Sequence, residues 1–298
     1  MGIVNAPEDP LAVRPDLIGQ VVTRSYGRVW KPIDQEEVAR LTVVGIGPIG
    51  ARTIQILSRV QPDLSCHEIR FDPRLDELSE MEAVLTMVRT SDLLFVVSGF
   101  DDAHCEMLFS VVADTATKVG VPTIGVVPDN QEYLSVLPFV TSIWPVSYSS
   151  FCGELDGVTP SVGSEEDRTV FALRHTVSTM TDLLTHNGII GIDYDEVVSV
   201  LKSGTIGKLA VGVGDVNNGR TASRNAIIKL EDQKNVSNPV KDLLVSVSGS
   251  SLMTMDHFDE ESKVIYDRVH TDADIIIGLF IDDSLGKNLM VTVLTINN

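Results

Sequence analysis

The sequence predicts an α/β chain made of a Rossmann-like parallel-sheet domain, a long central helix, and then an α+β domain with a mixed sheet. Three observations predict it. Apolar runs of strand length alternate with helical periodicity from Leu41 to Val146. One helical stripe then runs from Ser164 to the stop signal Asn187-Gly188. Beyond it, strand and helix patterns resume and close on two long β-rich runs.

The 298 residues suffice for two domains, and the 43% hydrophobic content fits a globular protein. A net charge of −19 argues against nucleic acid, whose phosphates need Lys and Arg, and against simple adsorption to an anionic membrane. No apolar run reaches membrane-span length, and Met1 to Pro15 lacks the basic-then-apolar order of a signal peptide, so a cytoplasmic protein with no direct membrane insertion is expected. Three cysteines, Cys66, Cys105 and Cys152, form no CxxC and leave an odd count, which suits a reducing compartment. Cys66-His67 and His104-Cys105 do not chelate readily, because neighbours on a strand point to opposite faces, and no metal site is assigned.

Residues 1–40 read as an extended N-terminal arm packed on the body, with Val21-Val22-Thr23 a short strand. Residues 41–163 form the first domain. Leu41 to Val44 is a buried strand that runs into Gly45-Ile46-Gly47-Pro48-Ile49-Gly50 and a helix to Val60, a phosphate-loop-like turn whose free amides and helix dipole favour an anion. The strand Glu68 to Phe71 ends at Asp72. Glu77 to Arg89 is helical, and Asp92 to Gly99 is a strand whose continuous apolarity means cover on both faces. A helix over Asp101 to Val119, a strand over Val121 to Val127 and a short strand over Ser142 to Val146 complete the alternation that gives a parallel sheet.

The central helix is assigned to 164–188. Ser164 with Asp167 three residues on makes a capping-box-like start, and Val170, Leu173, Val177, Met180 and Leu184 recur at spacings of three and four. It reads as a spine between two lobes. Residues 189–298 form the second domain: a helix from near Asp195, a strand over Lys208 to Gly214, a helix over Thr221 to Glu231, a strand over Asp242 to Ser248 and a helix over His257 to His270. Asp274 to Ile281 and Asn288 to Ile296 read as a closing hairpin.

Two site readings come from the residues themselves. Gly45, Gly47 and Gly50 with Asp72, 22 positions after the last glycine, match a dinucleotide-binding fingerprint, against the plain alternative of a glycine-rich turn without ligand. Arg52 opens the helix after that turn, and Asp101 and Asp102 open the helix after a later strand, so all three lie at one carboxyl edge, and one reading is an internal ion pair between them that replaces a bound anion. The alternatives are that Asp101 or Asp102 caps its own helix while Arg52 points to water, or that the aspartates hold a divalent cation.

From about Leu41 onward the order of parts resembles the prokaryotic tubulin homologue FtsZ. Gly188-Ile189-Ile190-Gly191-Ile192-Asp193-Tyr194-Asp195-Glu196-Val197 is similar to that family's synergy loop, and Ala273 to Gly278 with Leu289 to Val293 is similar to its closing segment. The resemblance implies a nucleotide-binding-type lobe, a central helix and an activation-type lobe that dock head to tail into filaments. It places the hydrolytic carboxylates at Asp193 and Glu196, with Gly191 where the family has an amide; the plain reading of Asp193 and Glu196 is a helix-capping turn.

The departures point away from turnover. The family's glycine-and-threonine-rich phosphate loop is here Asp101 to Met107 with three carboxylates, Asp101, Asp102 and Glu106. Pro48 removes an amide donor, Ala51 and Arg52 stand where the family has Gly and Asn, and the base-reading positions fall near Val146-Ser147 and Val170. The loop after the second strand is also shorter than the family's.

The expectation is a divergent FtsZ-like cytoskeletal or cell-division protein without ordinary GTP turnover, self-associating or serving a cytoskeletal or membrane adaptor protein. No cofactor is expected, GTP and Mg being disfavoured. Alternatives are an active FtsZ-type GTP hydrolase with altered loops, a dinucleotide-binding protein, and a structural module with an unrelated ligand. The chain stops two residues past its last strand, from which no terminal membrane-adaptor peptide is expected.

Overall fold

The computed structural model describes residues 2–5, 39–70, 84–129, 131–151, 164–185, 188–233, 236, 242–269 and 273–297. The readings at Val21-Val22-Thr23, Asp72, Cys152 and Asn187 lie outside them, as does most of the helix placed at Glu77 to Arg89, of which 84–89 is helical. Packing divides the chain into two compact units, the first holding Ala39–Ser147 and the central helix as far as Thr181, the second starting again at Asp182.

The first unit is built on six strands in the order β1-β3-β2-β4-β5-β6. These are β1 (Gly2–Asn5), β2 (Leu41–Ile46), β3 (Ser65–Arg70), β4 (Leu93–Ser98), β5 (Thr123–Pro128) and β6 (Ser142–Val146). All are parallel except β1, which pairs antiparallel with β3 from Gly2 opposite Arg70. Every residue of β2 and β4 is buried, as their nearly continuous apolar sequences require of strands covered on both faces. Helices α1 (Gly47–Val60) and α2 (Ala103–Val119) follow β2 and β4, so their N-termini open at the carboxyl edge of the sheet.

The central helix, α3, spans Glu165–Thr185, 21 residues and about 32 Å at 1.5 Å per residue. It starts where the sequence places it. Asp167 N donates to Ser164 Oγ at 3.1 Å and Ser164 N to Asp167 Oδ2 at 3.2 Å, the reciprocal pair of a capping box.

The second unit carries α4 (Tyr194–Leu201), β7 (Ile206–Asp215), α5 (Thr221–Glu231), β8 (Leu243–Gly249), α6 (Met255–Tyr266), β9 (Ile275–Ile281) and β10 (Asn288–Asn297), with strand order β7-β10-β8-β9. The expected hairpin is corrected here. β9 does not pair with β10; it lies parallel to β8, while β10 runs antiparallel to both β8 and β7. The connection is too long for a tight turn and crosses the end of β8, where it is tied down: Asp282 N donates to Gly249 O at 2.7 Å, Ser251 N to Asp283 Oδ1 at 2.7 Å, and the Ser250 hydroxyl to Gly286 O at 2.5 Å.

Candidate functional site

The site begins at the turn between β2 and α1. A Cβ on Gly45 would meet Gly50 O at 2.5 Å and one on Gly50 would meet Val97 O at 2.5 Å, so two of the three glycines are explained by the close approach of α1 to β2 and β4 alone. Gly47 takes φ +73°, which turns the chain into the helix. Ile46 caps α1 without any side-chain acceptor and Pro48 has no amide hydrogen. The helix end therefore needs an acceptor from elsewhere.

Asp101 lies beside it. Its Oδ2 would lie 2.9 Å from a Cβ on Gly47, and the Ile49 backbone amide favours the charged form of its carboxyl. Burial pushes the Asp101 carboxyl above the usual carboxylate range, the amides of Ile49 and of Asp101 itself pull the other way, and the charges of Asp102 and Glu166 add to the rise. The residue before it aims the carboxyl. Phe100 holds φ +53°, a region rare for a bulky side chain, with its ring 5.4 Å from that of Phe109 and its amide on Ser98 Oγ at 3.1 Å. Sequence reading passed over Phe100 because nothing in its type announces a left-handed backbone.

The ion pair between Arg52 and the two aspartates is not formed, and the capping reading holds for Asp102. Arg52 Nη1 donates to Glu166 Oε1 at 2.9 Å and its Nη2 bonds Asp167 Oδ1, both carboxylates belonging to the first turn of α3. Asp102 is the N-cap of α2, accepting from Cys105 N at 2.9 Å, a bond that holds its carboxyl below the usual range. The guanidinium thus goes to acids that approach from another helix, and the two adjacent aspartates part ways.

These elements frame an open cleft of about 510 Å³ lined by Gly47, Pro48, Ala51, Glu68, Asp102 and Cys105 among others. Glu68 is 1% exposed and had no signal in the sequence beyond being an acid inside a strand. Burial raises the Cys105 thiol to about 11, which keeps it protonated at neutral pH.

In the second unit, Asp193 and Glu196 form a capping box on α4. Asp195 N donates to Asp193 Oδ1 at 3.0 Å and Asp193 N to Glu196 Oε2 at 3.1 Å. The loop before them is pinned to β9 by Ile189 N and Leu279 N, which bond Leu279 O at 2.7 Å and Ile190 O at 2.9 Å. A Cβ on Gly191 meets nothing within 4 Å.

Residues 207–297 match the model of the FtsZ family, C-terminal domain. The cell division protein FtsZ of Haloferax mediterranei is 25% identical over 230 residues, 74% of this chain and 61% of that protein. FtsZ 2 of Rhizobium meliloti is 25% identical over 234 residues, 72% of this chain and 65% of the relative. Residues 207–297 are thus similar to the C-terminal domain of the FtsZ family, and about three quarters of the chain is similar in sequence to FtsZ proteins.

Solved structures agree on the fold. A point mutant of FtsZ from M. jannaschii has a TM-score of 0.68 at 21% identity over 88% of this chain and 92% of that one. A CetZ2 protofilament from Haloferax volcanii has a TM-score of 0.60 at 16% identity over 86% and 92%. The alignments reach less than two thirds of the two curated FtsZ relatives' lengths. Val170, near which the resemblance implies a base-reading position, is 1% exposed, and the segment from Asp101 expected as a phosphate loop runs into the capped start of α2. Asp72, the last member of the dinucleotide fingerprint, lies outside the described residues.

Proposed function

We propose that this chain is an FtsZ-like cytoskeletal or cell-division protein that assembles without ordinary GTP turnover. One observation carries the reading: the Asp101 carboxyl occupies the end of α1 where a phosphate would take amide hydrogens. Two like charges 4 Å apart repel by about 4 kcal/mol at an effective dielectric of 20, and a triphosphate brings several against Asp101 and Asp102. The residues present do not fit a Mg-nucleotide in the family manner. Glu68 and Asp102 add acidity to the cleft, and Pro48 withholds a donor.

Self-association rests on different residues. The loop at 188–193 and the Asp193/Glu196 capping box are held by bonds within the chain, which supports their serving as an assembly surface without nucleotide chemistry. Among the structural relatives, one is an empty FtsZ dimer and another a GTPγS-bound CetZ2 protofilament, so that assembly with and without nucleotide both occur on this fold. In this chain Asp193 and Glu196 act by holding α4 and its loop; any polarisation of water by them presupposes a nucleotide on the next copy.

A second reading, an active GTP hydrolase with altered loops, is favoured by the cleft itself, whose 510 Å³ falls in the range of small-molecule sites. Calorimetry with Mg-GTP separates the two. Binding weaker than millimolar, with the same sedimentation profile with and without GTP and species above monomer at high concentration, is expected. Sub-micromolar GTP affinity overturns the loss of turnover, and a monomer under all conditions overturns the assembly.

A further inference from the structure

We propose that the seam between α5 and α6 is a docking site for an acidic peptide segment of a partner protein. The seam holds a cleft of about 150 Å³ lined by Arg220, Arg224, Ile227, Ile228, Val264, Asp267 and Arg268. Three of the chain's 23 basic residues meet here, in a protein of net charge −19. Arg220 and Arg224 are both exposed and have no carboxylate partner among the described residues. Arg268 is bound only at the long limit, its Nη1 3.4 Å from Glu231 Oε2. With 42 acids available in the chain, guanidinium groups left unspent side by side are groups held for something else.

The backbone supports the same conclusion independently. Arg220 precedes α5 at φ +74° and caps it with no side-chain bond, a left-handed position that Gly or Asn fills with less strain. Arg224 follows one turn later, its amide on Arg220 O at 3.2 Å, so two like charges share one helix face at a spacing that repels them. Both features cost stability and gain no side-chain bond among the described residues. They place two forked donors on the exposed side of the first turn of α5, whose amide end Glu261 already caps from α6.

The chemistry of the cleft selects the ligand. Its floor is aliphatic, with Ile228 44% exposed and Ile227 and Val264 beside it, and Asp267 stands on the lining. A free phosphate would gain nothing from that floor and would meet Asp267. At about 150 Å³ the space takes one aliphatic side chain with flanking carboxylates rather than a nucleotide. An extended segment of the pattern acid, aliphatic, acid satisfies the forked donors and buries the isoleucine wall together.

The test uses the full chain and a fluorescein-labelled Asp-Asp-Leu-Asp-Asp peptide read by anisotropy at 50 mM and 300 mM salt. Saturable binding that weakens at least tenfold in Arg224→Glu and in Arg220→Asn is expected, with Lys263→Ala, an exposed cation paired to Asp259, unchanged. Asn keeps the left-handed backbone, and thermal melts of each variant exclude unfolding. A Ser-Ser-Leu-Ser-Ser peptide should bind at least tenfold more weakly, as should Asp-Asp-Ser-Asp-Asp. Equal binding of the leucine-free peptide, full competition by millimolar inorganic phosphate, or a shift toward monomer in sedimentation without loss of peptide binding in Arg224→Glu would each overturn the proposal, the last by making a second copy the occupant.

Discussion

Arg52 Nη1 stands 2.9 Å from Glu166 Oε1, joining the first turn of the helix after the glycine turn to the first turn of the central helix, 114 residues away in sequence. Together with Asp167 it makes a forked clamp between two helix N-termini, where carboxylates are favoured by the dipole in any case. Glu166 is 55% exposed, so solvent screens much of the attraction. Arg52→Ala should therefore cost about 1 kcal/mol in urea unfolding at low salt and less at 0.5 M salt. Asp167 is held below its ordinary 3.8, first by the Ser164 hydroxyl and then by Arg52. Its contribution is present above 3.8 and is lost as pH falls through the depressed value, so the deficit of Arg52→Ala should shrink in that same acid window.

Asp101 has the opposite sign. Its folded carboxyl is raised by burial, so between 3.8 and the raised value the folded chain holds more proton than the unfolded chain and stability falls as pH rises. Asp101→Asn keeps an oxygen for the Ile49 amide and removes the charge. It should melt higher than the parent at pH 7, by less than about 1 kcal/mol in free energy, and match it near pH 3.8. Asp101→Gly with Asp102→Gly should raise GTP affinity at least tenfold in calorimetry; no gain would mean that charge is not what keeps nucleotide out.

Much of this architecture is written locally. Apolar runs in β2 and β4, interrupted only by Thr42 and ended by Ser98, state a strand covered on both faces, and Ser164 with Asp167 states a helix start, because each signal is complete within a few residues. What failed depends on distant parts of the chain. β9 and β10 carry β-rich patterns that say nothing of their neighbour, and β8 takes the place between them by register with both. Arg52 sits at the same sheet edge as Asp101 and Asp102, yet its acids come from α3. Edge position narrows a side chain's partners without ranking them, and the turn at Phe100 that sends Asp101 to the glycine turn has no residue-type signature.

Glu261 is fully buried and accepts from Ser223 N at 2.7 Å, closing the amide end of α5 from α6. Glu261→Ala would leave that amide orphaned in the interior and open a void. A loss of about 3 kcal/mol is expected by chemical denaturation, combining a charged hydrogen bond with the missing side chain. Glu261→Gln keeps an acceptor and should cost less than half as much. Equal losses for both variants would show that the negative charge, rather than the acceptor, is what α5 requires.

The loop that precedes α4 gives a contrast between two glycines three residues apart. A Cβ on Gly188 would fall 2.5 Å from Ile190 O and 2.7 Å from Leu279 O, both backbone atoms that bond the loop to β9, so neither can withdraw without breaking that pairing. Gly188→Ala should cost about 2 kcal/mol by overpacking and loosen the loop. Gly191 faces open space, and Gly191→Asn, which introduces the amide that the FtsZ resemblance implies at this position, should change stability by less than about 0.5 kcal/mol. If assembly uses this loop as a shaped surface, sedimentation should show Gly188→Ala defective and Gly191→Asn close to the parent, and phosphate release from GTP should stay at background in both. Measurable turnover in Gly191→Asn would instead mean that a single amide separates this chain from an active hydrolase, and that Asp101 does not bar the nucleotide.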